Sequence, residues 1–389
     1  MNATPAIDSA IDHALAEQRI VGTVVLVARG GDIVYRRAAG LADRERGMAM
    51  REDVVFRLAS LTKPIVTAAA LRLVELGKIS LADPVTRYLP DFRPVLPNGT
   101  TPTITLRHLL THTAGLAYGF MQPPDGPYHG AGVSDGMDQP GLSMADEVAR
   151  IARAGLAYPP GERWAYSVAM DVLGAVLEAV EGKGLAAVTA ERVTAPLNLA
   201  SMGFDLADAQ RDRLAAAYAD HKPAPVRIPD SGQRVHFPEG IPLYAGLAGI
   251  NLVPARLFDK ASFRSAGAGM VGNAADMLTF IEALRTGGNP IVSRETAAAM
   301  MTVQTGDLPI VNRGPGWAFG YGGSVLTDPA AAQSPQSPGT FGWGGVWGHT
   351  WFIDPVRTLS VVSLSNTALE GMMGAYTRDL RNAVYADLG

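Results

Sequence analysis

The 389-residue sequence contains no cysteine, which excludes disulfide bonds, thiolate metal ligands and a cysteine nucleophile. Charge is sparse and nearly balanced, since 33 Lys and Arg against 37 Asp and Glu leave a net charge of −4. Without a basic block, we expect no nucleic-acid partner and no anionic membrane partner. No run approaches the roughly 18 apolar residues that a membrane-spanning helix needs. We therefore expect no membrane association.

The first residues, 1–8, carry neither the basic region nor the apolar region of a signal peptide, which predicts a cytoplasmic protein. Apolar residues make up 47% of the chain, as in ordinary globular proteins. A chain of this length can bury a large core and form two packed domains.

The apolar patterns predict an α+β protein with one antiparallel sheet formed from both chain termini and flanked by helices. β-Branched runs around a Gly-Gly turn predict a hairpin at 22–40, and further strands are expected between 317 and 365. We predict an α/β domain from residues 1–80 and 270–389 and a mainly helical domain with long loops from residues 81–269. Other expected helices span 7–18, 80–89, 144–154, 185–197, 206–218, 273–286, 293–303 and 373–385.

The S-x-x-K pattern at 60–63 is the first candidate for chemistry. Pro64 is tolerated only in the first turn of a helix, so the helix is expected to begin near Ser60. Positions i and i+3 share a helix face, and Lys63 can therefore reach the Ser60 hydroxyl. The helix N-terminus favours an oxyanion there. Alone, the pattern more often marks a helix cap and a solvated lysine.

Two further segments offer partners for Ser60. Tyr166 lies on a loop just before a helix, and Asp171 lies one turn inside that helix. Asp171 can orient a cation or simply favour the helix N-terminus. The segment 341–351 is rich in glycine and tryptophan, which suggests a strand edge where a ligand approaches the backbone.

Two other patterns are weak. Ser134 lies in a G-x-S-x-G sequence, but a nucleophile elbow needs a preceding strand and a following helix, and its flanks are irregular. His108 and His112 have the i, i+4 spacing of a metal pair, but no carboxylate lies close in the sequence. We predict no metal and no cofactor.

Taken together, five short segments resemble class C β-lactamase-like serine hydrolases, most closely the family VIII carboxylesterases. They occur in the family's order over nearly the whole chain: 60–63 (Ser-Leu-Thr-Lys), 109–116, 166–168 (Tyr-Ser-Val), 265–270 and 343–345 (Trp-Gly-Gly). The resemblance implies a β-lactamase-like fold with the active site between its two domains. It also implies that Ser60 is the nucleophile and that Lys63 and Tyr166 form the general-base pair.

The resemblance assigns roles to other residues as well. It implies an oxyanion hole made by the backbone N–H groups of Ser60 and Val346. Tyr118 matches a tyrosine that lines the site in close esterase relatives, and Asp171 and His349 are supporting candidates. Whether Lys63 takes the proton itself or holds Tyr166 as a phenolate stays open at this point.

Two departures from the β-lactamase pattern predict an esterase. Val168 replaces the Asn that binds a lactam side chain, and Trp343 replaces the Lys that helps to bind the substrate carboxylate. With Gly344 and Gly345, these positions are expected to give an aromatic, apolar substrate surface. We predict a serine carboxylesterase that hydrolyses short-chain or activated esters, which are small molecules, through an acyl-enzyme.

Three alternatives are kept. An acyltransferase would pass the acyl group to an alcohol at the same site, with the loop 237–258 shaping an acceptor pocket. A β-lactamase or DD-peptidase would use the same serine on an amide. A non-catalytic scaffold or binding member would retain only the fold, which the intact Ser60, Lys63 and Tyr166 argue against. The oligomeric state stays open.

Overall fold

A computed structural model describes residues 4–139, 141–238 and 242–389. The helices are α1 (Pro5–Ala16), α2 (Thr62–Glu75), α3 (Leu106–Leu110), α4 (Pro127–Ala131), α5 (Met144–Ala154), α6 (Ala169–Glu181), α7 (Leu185–Thr189), α8 (Ala274–Arg285), α9 (Arg294–Met300), α10 (Glu370–Met373) and α11 (Ala375–Leu388).

The strands are β1 (Gly22–Arg29), β2 (Asp32–Asp43), β3 (Met48–Ala49), β4 (Phe56–Arg57), β5 (Tyr218–Ala219), β6 (Val226–Arg227), β7 (Gln233–Val235), β8 (Ile250–Leu252), β9 (Val271–Gly272), β10 (Trp317–Phe319), β11 (Ser324–Leu326), β12 (Phe341–Gly345), β13 (His349–Asp354), β14 (Leu359–Ser365) and β15 (Thr367–Ala368).

The main sheet has eight strands in the order β10-β11-β12-β13-β14-β1-β2-β3, and its neighbours pair antiparallel. The two ends of the chain meet inside it, because β1 pairs with β14 from Thr23 opposite Ser365 to Arg29 opposite Leu359. This confirms the predicted α+β class and a sheet built from both termini. The boundaries of the two predicted domains stay a prediction.

Alternate residues of the central strands face two different cores, as the two-residue period of a strand requires. Val24 and Leu26 join a large core that also contains side chains of α2, α6 and α8. Val25 and Val27 join a smaller core with side chains of α1 and α11. The terminal helices therefore cover one face of the sheet, and α8 packs on the other.

Two expected helices are wrong. Residues 80–89 contain only a 3-10 turn, Val85–Arg87, and residues 206–218 contain the 3-10 turn Asp208–Arg213 followed by β5. In residues 206–218, backbone hydrogen bonds hold the chain after the turn in an extended conformation. Val55 N–H donates to the Arg213 carbonyl, and Ala215 N–H donates to the Val55 carbonyl. This tertiary pairing outweighs the helical propensity of the segment.

Candidate active site

Ser60 lies in a 3-10 turn, Ala59–Leu61, that runs directly into α2. The preceding Ala59 has a φ of +46°, a left-handed conformation that costs a non-glycine residue about 1–3 kcal/mol. Tertiary hydrogen bonds hold this turn. Leu58 N–H donates to the Met270 carbonyl (2.8 Å), and Met270 N–H donates to Thr62 Oγ1 (3.1 Å). The turn presents Ser60 to a cavity.

The structure brings Ser60, Lys63 and Tyr166 together. Lys63 Nζ lies 3.1 Å from Ser60 Oγ, at the i+3 position that the sequence spacing predicts. From a different element, the Tyr166 hydroxyl donates to the same oxygen at 2.6 Å. A hydroxyl held between an amine and a phenol has both a proton acceptor and a proton donor within reach, as nucleophilic catalysis requires.

Burial controls the charge of Lys63. The side chain is fully buried, and this burial lowers its pKa to about 7, against a smaller opposing effect of the Asp171 carboxylate. Nζ also donates to the Gly267 carbonyl at 2.8 Å and lies 4.6 Å from the centre of the Tyr166 ring. A substantial fraction of neutral amine is therefore present near neutral pH.

Burial also favours the uncharged form of Tyr166, which is the form that carries the proton. It raises the pKa of the phenol above its usual range, although hydrogen bonds with Ser60 and Trp343 oppose the shift. The indole N–H of Trp343 donates to the Tyr166 oxygen at 3.2 Å. The phenol thus keeps its proton at neutral pH. This arrangement favours Lys63 over a Tyr166 phenolate as the group that accepts the Ser60 proton.

Asp171 lies behind Lys63 and is fully buried in the first turn of α6. Its Oδ1 accepts hydrogen bonds from Ser265 Oγ (2.7 Å) and from Gly267 N–H (3.2 Å). Because the Gly267 carbonyl in turn accepts from Lys63, Asp171 holds the backbone that binds the amine. Burial raises the pKa of Asp171, and the hydrogen bond from Ser265 opposes this.

The end of β12 lies against the turn that carries Ser60. A methyl group at Gly345 would lie 2.5 Å from the Leu58 carbonyl oxygen, so this close approach requires glycine. The next residue, Val346, lines the same cavity as Ser60. Both residues that the family resemblance assigns to an oxyanion hole therefore border one space.

The cavity beside Ser60 has a volume of about 130 Å³ and mainly apolar walls. Such a lining with few polar groups is typical of small-molecule sites. Its aromatic, aliphatic and methionine side chains are Tyr118, Phe120, Met121, Met137, Tyr166, Phe237, Tyr244, Ile250, Trp343, Val346, Met372 and Met373. The other lining residues are Ser60, Asn312, Arg313, Gly344 and Thr350.

One aromatic wall is held by a buried carboxylate. Tyr118 stacks on Phe120 with ring centres 4.6 Å apart and lies 4.9 Å from the Tyr166 ring. Asp135 accepts hydrogen bonds from the backbone N–H groups of Gly119 (2.7 Å) and Phe120 (3.1 Å). Nearby, the buried Ser134 hydroxyl donates to Asp138. The G-x-S-x-G segment therefore supports the cavity wall, and Ser134 does not line the cavity.

Besides Lys63 and Asp171, three residues expected at the site lie outside the cavity lining. Val168 is a correction, because it directly precedes α6 and its side chain packs in the large core. Gly345 contacts the Ser60 turn instead. His349 is buried with Nε2 2.7 Å from the Arg57 carbonyl oxygen, and burial lowers its pKa to about 4. Its ring therefore stays neutral and fastens β13 to β4.

The two other histidine candidates have structural partners. His108 Nδ1 accepts from Thr105 N–H at 3.2 Å, and His112 Nδ1 lies 3.1 Å from Ser167 Oγ. In residues 4–139, 141–238 and 242–389, no group of three or more His, Asp or Glu side chains is arranged to hold a metal ion.

Several lining residues were not anticipated from the sequence. Met121 and Met137 come from the long segment between α3 and α5, and Met372 and Met373 come from the short helix α10. Arg313 and Asn312 come from the segment before β10. The only sequence signal for the four methionines was their residue type, and no signal marked Asn312 and Arg313. Residues 239–241 of the loop expected to form an acceptor pocket lie outside the described residues.

The chain is similar to known proteins in both sequence and structure. The family model described as Beta-lactamase matches residues 7–386. The chain is 48% identical over 380 residues to Esterase EstB of Burkholderia gladioli, covering 98% of this chain and 94% of that protein. It is 28% identical to Monacolin J acid methylbutanoyltransferase of Aspergillus terreus, covering 97% and 95%.

A solved structure has the same fold. EstCE1, described as a hydrolase with promiscuous acyltransferase activity, matches with a TM-score of 0.92 and 45% identity, and the match covers 98% of each chain. This likeness over the full length confirms the β-lactamase-like fold that the motif resemblance implied.

Proposed function

Because the chain belongs to the Beta-lactamase family, we propose that it is a serine carboxylesterase that hydrolyses short-chain or activated esters of small molecules. The observation that carries the proposal is the Ser60 hydroxyl held between Lys63 Nζ (3.1 Å) and the Tyr166 hydroxyl (2.6 Å). Its setting in an aromatic, apolar cavity suits the acyl and alcohol groups of an ester. The likeness to Esterase EstB and to the hydrolase EstCE1 supports the same chemistry.

In the acylation step, Ser60 Oγ attacks the ester carbonyl carbon while neutral Lys63 takes the hydroxyl proton. Negative charge develops on the carbonyl oxygen. In our proposal the backbone N–H groups of Ser60 and Val346 stabilise that charge, each contributing about 3 kcal/mol by analogy with a measured oxyanion-hole donor. The positive end of α2 adds to the same effect.

Collapse of the tetrahedral intermediate breaks the bond to the alcohol. Tyr166 gives its proton to the departing alcohol oxygen, and the Lys63 ammonium returns a proton to Tyr166. The Trp343 Nε1–H group lies 3.2 Å from the Tyr166 oxygen and stabilises the transient negative charge on that oxygen. Water then attacks the acyl carbonyl carbon and loses its proton to the same groups. The bond between that carbon and Ser60 Oγ breaks, Ser60 Oγ takes the proton back, and the carboxylic acid leaves, which regenerates the enzyme.

A direct comparison of substrates tests the proposal. We expect the purified protein to turn over p-nitrophenyl acetate and butyrate and to hydrolyse nitrocefin more slowly. Ser60→Ala should reduce ester turnover to background while the protein stays folded by circular dichroism. Nitrocefin turnover as fast as ester turnover would favour a β-lactamase, and an inert wild-type protein would favour a non-catalytic member.

Acyl transfer to an alcohol is a second candidate. The apolar cavity walls favour an organic acceptor over water, and the names of EstCE1 and of the Aspergillus terreus relative include acyl transfer. With a vinyl ester and benzyl alcohol in buffer, acyl transfer predicts benzyl ester as the main product. Free acid as the only product would leave hydrolysis as the activity.

Location is a separate proposal. Within the described ranges, no helix combines the length and apolarity that crossing a bilayer demands. We propose that the enzyme acts in the cytoplasm. Cell fractionation tests this, with ester hydrolysis expected in the cytoplasmic fraction and its recovery in the medium or the membrane fraction as the contrary result.

A further inference from the structure

We propose that the cavity prefers esters that carry a carboxylate away from the scissile bond, and that Arg313 binds this anion. The inference rests on the proposed ester hydrolysis and names the class of substrate. The family motifs assign no carboxylate-binding role to Arg313. The motif position at which β-lactamases carry a cation is occupied here by Trp343.

Arg313 has no anionic partner. Among the described residues that line the cavity it is the only charged one, and no Asp or Glu of the described chain forms an ion pair with it. Among the described residues, its side chain forms one hydrogen bond, which is long, from Nη2 to the Gly342 carbonyl at 3.5 Å. A guanidinium has five N–H donors. Most of these donors are therefore available to a ligand.

Two tryptophans fix the guanidinium at the cavity. Arg313 Cζ lies 4.7 Å from the Trp317 ring centre and 5.4 Å from the Trp343 ring centre. Stacking on aromatic faces restrains the planar group without using its N–H donors, which lie in the plane. The N–H groups of the stacked guanidinium can therefore bind both oxygens of a carboxylate.

Trp343 also sets the position of the cation relative to Ser60. Its indole nitrogen donates to the Tyr166 hydroxyl, which donates to Ser60 Oγ. The guanidinium and the reacting hydroxyl are therefore separated by one indole ring and one phenol oxygen. An ester that reaches both must hold its carboxylate several bonds from the reacting carbonyl, as in a half-ester of a dicarboxylic acid.

Asn312 is a second polar residue of the cavity lining. Its buried side-chain oxygen has no hydrogen-bond partner among the described residues. An unsatisfied buried polar atom costs free energy until a ligand or water satisfies it. Because this oxygen is an acceptor, it suits an N–H or O–H donor of the ligand, whereas the carboxylate is bound by Arg313.

A pair of matched substrates tests the proposal. One is the mono-p-nitrophenyl ester of adipic acid, and the other is the same ester with its free carboxyl capped as a methyl ester. We expect the wild type to favour the acidic ester at least tenfold in kcat/KM, mostly through KM, since charge-assisted bonds are strong. The preference should fall as salt is added, because Arg313 is exposed to solvent.

Arg313→Gln should reduce this ratio of kcat/KM values about tenfold. Because the ratio compares two substrates of the same protein, a loss of correctly folded enzyme lowers both kcat/KM values equally and leaves the ratio unchanged. Arg381→Gln is the control, because Arg381 is a neighbouring cation that acts on Arg313 through charge but does not line the cavity. This control should keep the ratio within about twofold, as expected for a screened charge outside the site.

Binding of adipate, measured by calorimetry, gives a readout independent of turnover. We expect binding to the wild type and loss of at least tenfold in affinity in Arg313→Gln. A ratio near one in the wild type, an unchanged ratio in Arg313→Gln, an equal loss in Arg381→Gln, or equal adipate binding by both proteins would overturn the anion site. Hydrolysis of neither ester, with intact adipate binding, would instead refute the proposed esterase function.

Discussion

At the scale of single residues, the account depends on how burial changes Lys63 and Tyr166. Taking the ammonium out of water lowers its pKa to about 7, whereas the same burial keeps the phenol protonated. One environment therefore produces a base and an acid on the two sides of Ser60. This assigns distinct roles within a pair that the sequence alone could name only together.

The first prediction concerns pH. Only unprotonated Lys63 accepts the Ser60 proton, so kcat/KM for a neutral ester should rise as pH increases through about 7 and then level off. Asp171 raises the pKa of Lys63, and Asp171→Asn should therefore move this rise to lower pH. Asp379→Asn, a change of a half-exposed carboxylate on α11, should not move it. A shift to higher pH in Asp171→Asn would contradict the assignment.

The second prediction separates the acid from the base. Tyr166→Phe should lower kcat about 10²- to 10⁴-fold for alkyl esters, the range typical of a lost general acid. The loss should be smaller for p-nitrophenyl esters, because p-nitrophenolate leaves without being protonated. Tyr158→Phe is a matched control, since the Tyr158 hydroxyl is buried and forms no hydrogen bond within the described residues. Equal losses for both ester types would argue against proton donation by Tyr166.

At the scale of elements, the site depends on contact between the end of β12 and the turn before α2. Gly345 permits this contact because a side chain there would strike the Leu58 carbonyl oxygen. The contact places Val346 beside the cavity that Ser60 enters. A glycine in a strand therefore positions the proposed oxyanion hole without supplying an N–H group to it.

The third prediction tests this contact. Gly345→Ala should displace β12 from the turn and lower kcat about 10²-fold, as the loss of one oxyanion donor does, with a smaller effect on KM. Gly130→Ala in α4 is the control, because a methyl group there meets no atom within 4 Å. Steady-state kinetics on p-nitrophenyl butyrate measure both variants. Wild-type kcat in a folded Gly345→Ala protein would show that the strand position is not critical.

At the scale of the whole molecule, the sheet separates the active site from the terminal helices. Ser60 and its partners lie on the side of the large core, and Ile11 lies in the smaller core beneath α1 and α11. Damage to the smaller core should therefore lower stability without altering the site.

The fourth prediction follows from this separation. Ile11 is fully buried, and Ile11→Ala should lower the free energy of unfolding by about 2–5 kcal/mol. Val356→Ala, at an exposed position, should change it by less than about 0.5 kcal/mol. Urea denaturation measures both, and kcat/KM of Ile11→Ala at 25 °C should equal that of the wild type. A parallel fall in kcat/KM would show coupling across the sheet.

The sequence was informative where structure is local or repeated along the chain. The Lys63–Ser60 contact follows from helical spacing, and the β-branched runs around a Gly-Gly turn predicted the hairpin of β1 and β2. Features made by distant loops were not predictable in this way. Arg313 and the Asp135 support of Phe120 depend on packing between segments without periodicity. Val168 was misassigned because its motif position does not reveal which way a residue before a helix faces.

The most direct test of the central claim is covalent labelling with a fluorophosphonate, followed by intact-mass measurement and peptide mapping. An activated serine is the expected target because Lys63 and Tyr166 lie within hydrogen-bond reach of Ser60 Oγ. We predict one adduct, located on Ser60 and lost in Ser60→Ala. An adduct on Ser134, or none on Ser60, would contradict the proposed mechanism.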